Sequence, residues 1–425
     1  MKLTIPLAAS GAILALAASA VPVHPGQQGQ QLSLSLPAEM DAAMPTSQLA
    51  SSMFGSLASA FRGAFEARLV QTAADSEPYW TTELGKQLLF YRGVNFMDVT
   101  DHQDLGMISS AAATAAASFG NGEVKKQTEF PKKLAHTDVL KKKVYPEISE
   151  KGPRAHLEKF TSFHTRYYKS ATGRQSQAWL LSTVTSLVEE YKKFISVREF
   201  PHPWGQNSII LSVKGANSTL TKHRGVTILG AHQDSTNLFP FFAAPGADDD
   251  GSGTVTIIET LRVLLKSGWR PESDVEWHWY SAEEGGLLGS QAVAQSYERA
   301  ATKVHAMLQQ DMTAFVKAGT TETVGLVSDF VSTPLTTFIA SLVDEYLDIG
   351  YTETKLGYAG SDHASWSKIG ADSAFAIEAT FENSNLKRIH TSQDTFDYPE
   401  FSFAHLMQFV RLSAAFVVEL AGWAD

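Results

Sequence analysis

An α/β architecture on a mostly parallel sheet follows from two features of this 425-residue chain. From about residue 127 onward, short strand-like apolar runs alternate with longer stretches of helical period. The residues able to ligate a metal fall just after those strand-like runs, where open α/β sheets place their ligands.

The elements justify themselves in order. Residues 1–20 read as a secretory signal: Lys2 starts it, an apolar run through Ile13, Leu14 and Leu16 follows, and Ala18-Ser19-Ala20 is a small-residue cleavage signature. The competing reading, an N-terminal membrane anchor, is disfavoured because the run is short and Ala-rich. Residues 21–126 carry Gln/Gly-rich and Ala/Ser-rich stretches and no cluster of ligand-type residues. They are expected to be a pro-segment removed near 125–133, where Lys125-Lys126 and Lys132-Lys133 are dibasic; a permanent accessory domain is the alternative.

The remainder, 127–425, is the functional domain. Helical period covers 154–170 and 175–193, and 209–213 and 226–229 are strand-like. Residues 251–266 form a helix with Ile257, Ile258, Leu261, Leu264 and Leu265 on one face. Strand 275–280, helix 288–300, strand 304–312, helix 334–347, strand 374–379 and a closing helix 401–420 complete the alternation. The stretch 405–422 is apolar, but His405, Arg411 and Glu419 interrupt it, so it reads as a packing helix and no membrane association is expected.

Composition narrows the chemistry. Hydrophobic content of 44% and charged content of 19% are globular values. A net charge of −10 argues against a nucleic-acid partner. There is no cysteine, which excludes disulfides, thiolate ligands and a cysteine nucleophile. Any metal must therefore be held by His, Asp and Glu. Asn217-Ser218-Thr219 is a glycosylation sequon in a polar turn.

The run Asp248-Asp249-Asp250, with Gly246 before it and Gly251-Ser252-Gly253 after it, is costly unless a cation sits among the carboxylates. Alone it is equally a solvated turn. His232, Glu283-Glu284, Asp311 and His390 shift the balance toward a metal. Asp234 is placed to fix the tautomer of His232. Of adjacent acids such as Glu283 and Glu284, one can hold a metal while the other moves protons.

His232-Gln-Asp-Ser, the Asp run in its Gly-rich frame, Ser281-Ala-Glu-Glu-Gly-Gly, Gln310-Asp-Met-Thr, Gly360-Ser-Asp-His-Ala-Ser-Trp and Arg388-Ile-His-Thr-Ser-Gln-Asp together resemble the secreted bacterial and fungal leucine aminopeptidases, co-catalytic di-zinc enzymes. The resemblance covers about 130–425 and implies a three-layer α/β/α sandwich of the zinc-dependent exopeptidase type. It implies two zinc ions, with Asp249 bridging, His232 and Asp311 completing one site and Glu284 and His390 the other. Glu283 would be the base for a zinc-bridging hydroxide that hydrolyses peptides at a free N-terminus, with Leu-like residues preferred. A cis Asp249–Asp250 peptide is implied as well. Tyr358 and Ser361 would lie near the substrate carbonyl or serve only as hydrogen-bonding structure, and Asp394 would orient His390 or cap the following turn.

The pattern departs from the family at Leu356 and Gly360, where relatives carry a disulfide, so a more mobile loop and wider pocket are expected. Phe375, Ile377 and Phe381 are candidates for an apolar side-chain pocket, or ordinary core. The reading is a secreted, extracellular, monomeric zymogen whose partners are peptides and its own pro-segment. A mono-zinc glutaminyl cyclase and an inactive binding protein on the same scaffold are the alternatives.

Overall fold

The computed structural model describes residues 63–73, 76–111, 128–239 and 242–424. All lie in one compact unit, Phe61–Asp425. The sequence expectations for residues 1–20 and for Lys125-Lys126 fall outside the described residues.

The elements run β1 (Ala67–Gln71), β2 (Tyr79–Thr82), α1 (Glu83–Tyr91), β3 (Met97–Asp98), α2 (Lys151–Thr161), α3 (Ala171–Leu187), β4 (Ile195–Phe200), β5 (Ser208–Val213), α4 (Ser218–Arg224), β6 (Val226–His232), α5 (Gly253–Lys266), β7 (Val275–Tyr280), α6 (Leu288–Arg299), β8 (Val304–Gln310), β9 (Thr323–Val327), α7 (Thr333–Tyr346), β10 (Gly350–Thr354), α8 (His363–Lys368), β11 (Ser373–Ile377) and α9 (Phe403–Ala421).

Eight strands form the main sheet, in the order β10-β9-β11-β8-β6-β7-β5-β4. Its middle, β11-β8-β6-β7, is parallel, and β9, β5 and β4 are joined through antiparallel pairings. The sheet is therefore mixed, with helices on both faces. Side-chain alternation explains why. Ile209, Leu211, Leu229, Ala306 and Leu308 face one core with α5, α7 and α9. Their neighbours Ile210, Ile228 and Met307 face the other, with Val293, Ala294 and Tyr297 of α6 and Trp366 of α8.

Local signals set the helix ends. Ser170 caps α3 by accepting from Gly173 N, and Ser402 caps α9 by accepting from His405 N. Asn217, the sequon residue, caps α4 by accepting from Leu220 N and is exposed. Glycines at φ 95 and 81 end α4 and α9. Among the described residues α9 alone is long and apolar enough to cross a membrane, but it packs into the core, with 83% of its apolar window buried.

The helix expected over 154–170 is α2, which stops at Thr161, because the next residues thread Arg166 beneath the metal-ligand loops. That expected over 175–193 begins earlier, at the Ser170 cap, and ends at Leu187. Strands β4, β9 and β10 were not anticipated. β4 and β10 are the two edge strands and stay largely solvated, so they lack an apolar alternation.

Residues 63–111 form a small antiparallel sheet, β2-β1-β3, with α1 against it. Leu69, Met97, Val99 and Leu105 are buried in the same core as α6 and α8. A buried Lys86–Asp98 pair, 2.8 Å apart, holds this small sheet to α1.

Candidate metal centre

The carboxyl ends of three adjacent parallel strands converge on one spot. β6 ends at His232, β7 leads into Glu283 and Glu284, and β8 ends just before Asp311. The loop 247–252, entering α5, carries the aspartate run, and the segment before α9 brings His390.

The three aspartates do three different things. Asp248 accepts from Ala314 N (3.3 Å) and Asn385 Nδ2 (3.0 Å). Asp250 accepts from His232 N, Gly253 N and Met312 N, at 3.0, 2.8 and 3.3 Å. Asp249 alone turns to the imidazoles: Oδ1 is 3.0 Å from His232 Nε2 and Oδ2 is 2.8 Å from His390 Nε2. The Asp249–Asp250 peptide bond is cis.

Two ligand groups result, and Asp249 belongs to both: His232, Asp249 and Asp311, and Asp249, Glu284 and His390. His232 Nε2 lies 3.6 Å from Asp311 Oδ1, and His390 Nε2 lies 3.2 Å from Glu284 Oε2. His232 Nε2 and Asp311 Oδ1 are buried without a hydrogen-bond partner. Burial on those terms is expensive unless a cation takes the lone pairs. The electrostatics agree. Burial opposes charge on His232, yet Asp311, Asp234 and Asp249 raise its pKa well above the usual range. Glu284 is pushed up to about 7 by burial, with Asp249 adding to it. The site thus favours positive charge at its centre, and its N/O donor set suits a borderline divalent ion such as zinc.

The surrounding contacts aim these ligands. Asp234 Oδ1 lies 3.5 Å from His232 Nδ1 and accepts from Glu283 N (3.0 Å), while its Oδ2 accepts from Glu284 N (3.3 Å). Ser361 donates to Asp311 Oδ2 at 2.6 Å, so it touches a ligand. Tyr358 packs its ring against Phe330 and lines a neighbouring surface cavity instead of the cleft over the ligands. Asp394 accepts from the backbone N–H of Asp248 and Asp249, at 3.1 Å each, and so steers Asp249 through its main chain. Ala282, Met312 and His390, each next to or among the site residues, hold φ near +58° without being glycine. Such clustering marks sites where the fold imposes a conformation.

Sequence reasoning missed Arg166. It is fully buried, donates to Gln233 O and Gly246 O at 2.9 and 2.8 Å, and also reaches Pro245 O. Burial lowers its pKa to about 10, while Asp394, Asp250, Asp234 and Asp249 work the other way. It is the fixed cation beneath the acidic loops. Nothing in its immediate sequence, His164-Thr165-Arg166-Tyr167-Tyr168-Lys169, marks it out.

A cleft of about 500 Å³ opens over Asp249, Glu283, Glu284, Asp311 and His390. Phe375, Ile377 and Phe381 line it, with Met312, Leu356 and Ile389. Burial raises Glu283 well above the usual carboxylate range, and Asp362, Glu284 and Asp311 add to this. The opposite wall comes from residues 90–96: the Phe90 ring lies 4.6 Å from that of His390, and Asn95 Nδ2 donates to Leu356 O at 3.0 Å.

Residues 208–415 match Peptidase family M28. Leucine aminopeptidase 1 of Phaeosphaeria nodorum is 49% identical over 360 residues, covering 81% of this chain and 86% of that protein. The chain belongs to peptidase family M28. It is a hydrolase, an aminopeptidase. The Legionella pneumophila LapA aminopeptidase structure matches with a TM-score of 0.68 at 26% identity, covering 84% of this chain and 94% of that one. The Porphyromonas gingivalis glutaminyl cyclase, 18% identical with a TM-score of 0.50 over 64% of this chain and 99% of its own, shares the fold alone.

Proposed function

We propose that this chain is a secreted, extracellular zymogen whose trimmed form is a di-zinc aminopeptidase removing N-terminal, preferably Leu-like, residues from peptides. The observation that carries the reading is the single carboxylate of Asp249 shared by two ligand groups. Asp249, His232 and Asp311 would hold one zinc ion, and Asp249, Glu284 and His390 the other. When bound, such a pair supplies Lewis acidity and makes water a better nucleophile at neutral pH. The chain's own residues do the rest. Glu283, raised by burial and close to that centre, takes a proton and returns it to the leaving amine. The apolar wall of Phe375, Ile377 and Met312 receives an apolar first side chain and keeps water from it. The acidic rim attracts a free ammonium group.

The pro-segment reading, 21–126, is supported by residues 63–111. They wall the cleft beside His390, with the Phe90 ring 4.6 Å from the imidazole, and so narrow the approach of a peptide to it. Lys132 and Lys133 are exposed, as a processing site must be. A glycan at the exposed Asn217 and a monomeric state belong to the same reading.

The test is to cut the folded chain after the pro-segment, separate the severed segment, and measure bound metal and leucine release from a Leu-anilide. Two zinc ions per chain with chelator-sensitive release support the reading. One zinc with cyclisation of N-terminal Gln would make it a cyclase, and neither metal nor turnover would make it a binding protein.

A further inference from the structure

We propose that the carbonyl of Gly286 and the side-chain amide of Gln291 form a subsite that grips the backbone of the peptide on the leaving side of the scissile bond. The inference rests on the aminopeptidase and pro-segment reading above. An aminopeptidase takes one residue into its closed apolar end, and the rest of the substrate must lie on the side of the leaving amine. Glu283 delivers the proton to that amine, so the remaining chain runs past Glu283. Three residues further on, Gly286 lines the same cleft.

At that place an extended stretch of residues 96–98 already shows how a backbone is held. Asp98 N donates to Gly286 O at 3.0 Å. Gln291 Nε2 donates to Asp98 O at 3.0 Å and to Gly286 O at 2.9 Å, so Asp98 is held by both of its main-chain groups. Gln291 is fully buried, and its Oε1 has no hydrogen-bond partner. A Cβ at Gly286 would lie 2.7 Å from Asp98 N and 2.9 Å from the Phe96 ring, so glycine is what permits the approach.

The Asp98 side chain turns away to Lys86 Nζ (2.8 Å) and Thr100, within its own segment. The grip therefore reads main chain and not side chain, as strand addition does. Once residues 63–111 leave, Gly286 O and Gln291 Nε2 present one acceptor and one donor to any peptide long enough to reach them. The subsite selects for length and tolerates sequence.

The test uses enzyme folded as the full chain, cut and then freed of the severed segment by chromatography, with Leu-anilide and the amides Leu-Ala, Leu-Ala-Ala and Leu-Ala-Ala-Ala. We expect kcat/KM to rise about ten-fold from the two-residue to the four-residue amide, the scale of two net backbone hydrogen bonds. In Gln291→Leu the ratio of four-residue to two-residue kcat/KM should fall to within about two-fold of unity. A flat length series in the unaltered enzyme overturns the proposal, and so does a Gln291→Leu enzyme that keeps the gain. The length series decides even if Gln291→Leu fails to fold. No action on Leu-anilide by the cut enzyme freed of its severed segment overturns the aminopeptidase reading itself, and the subsite with it.

Discussion

Truncating Glu298 to alanine in the uncut chain should loosen the hold of residues 63–111 and, on the zymogen reading proposed above, raise the activity of the uncut chain. Glu298 lies on α6, 9% exposed, and its carboxylate receives three hydrogen bonds from the opposite segment. Gly106 N donates at 3.0 Å, Ser109 N at 2.9 Å and Ser109 Oγ at 2.8 Å. Hydrogen bonds to a charged group contribute about 1.5–3 kcal/mol each when nothing replaces them. Water satisfies the freed groups in part, so a net loss of about 3 kcal/mol is the working value for the set. That raises the population of the detached state about a hundredfold. The assay is Leu-anilide hydrolysis by the uncut chain, divided by the rate of the same variant after cutting and removal of the severed segment, so that any effect on the freed enzyme cancels. An uncut-to-cut ratio identical to that of the unaltered chain would refute the claim that this carboxylate latches the segment over the cleft.

Three further outcomes follow from the same geometry. Glu283→Gln should lower kcat by about 10²–10⁴-fold with metal content unchanged, and a variant with full activity would remove Glu283 from proton transfer. Ser361→Ala frees Asp311 Oδ2 from its 2.6 Å hydrogen bond and should weaken zinc binding about ten-fold or more; chelator competition showing unchanged affinity would count against this role. Burial pushes His202 down to about 3 and His305 and His363 to about 4. Their folded pKa values are depressed, so the unfolded chain binds more protons below the ordinary imidazole pKa of about 6.5, and stability falls as pH drops from there. The ring proton resonances of the three, followed by NMR from pH 7 to pH 5 in the folded chain, should stay at their neutral positions, each ring withholding up to about 1.4 kcal/mol of stability per pH unit; titration near pH 6.5 would show these side chains are not buried as neutral rings.

Much of the metal centre was legible because its chemistry is carried by residue type at strand ends. His232, Glu284 and Asp311 follow runs whose apolar character marks buried parallel strands, and such strands deliver their carboxyl ends to one place. What could not be read was any role set by a partner remote in sequence. The sequence leaves Asp394 either orienting His390 or capping the following turn, yet it accepts from the backbone of residues nearly 150 positions earlier. Arg166 carried no motif, and its function is to cross beneath loops some 70 to 80 residues away. Edge strands β4 and β10 lacked the alternation that betrays a strand because solvent covers much of them.

The segment 63–111 makes the same point from the other direction. Its sequence holds no metal-type ligand cluster and reads as material to be discarded. In the fold it contributes Leu69, Met97, Val99 and Leu105 to the core beside α6 and is tied to that helix through Gln291, Gln295 and Glu298. A segment that only blocked the cleft would need little more than Phe90 over His390. One that also fills a core and satisfies buried polar groups on α6 raises the cost of leaving. Severing the chain between residues 111 and 128 removes none of these contacts, so cleavage and release are separate events. On the proposed zymogen reading, the depth of docking on α6, more than the cut, sets how fast the cleft opens.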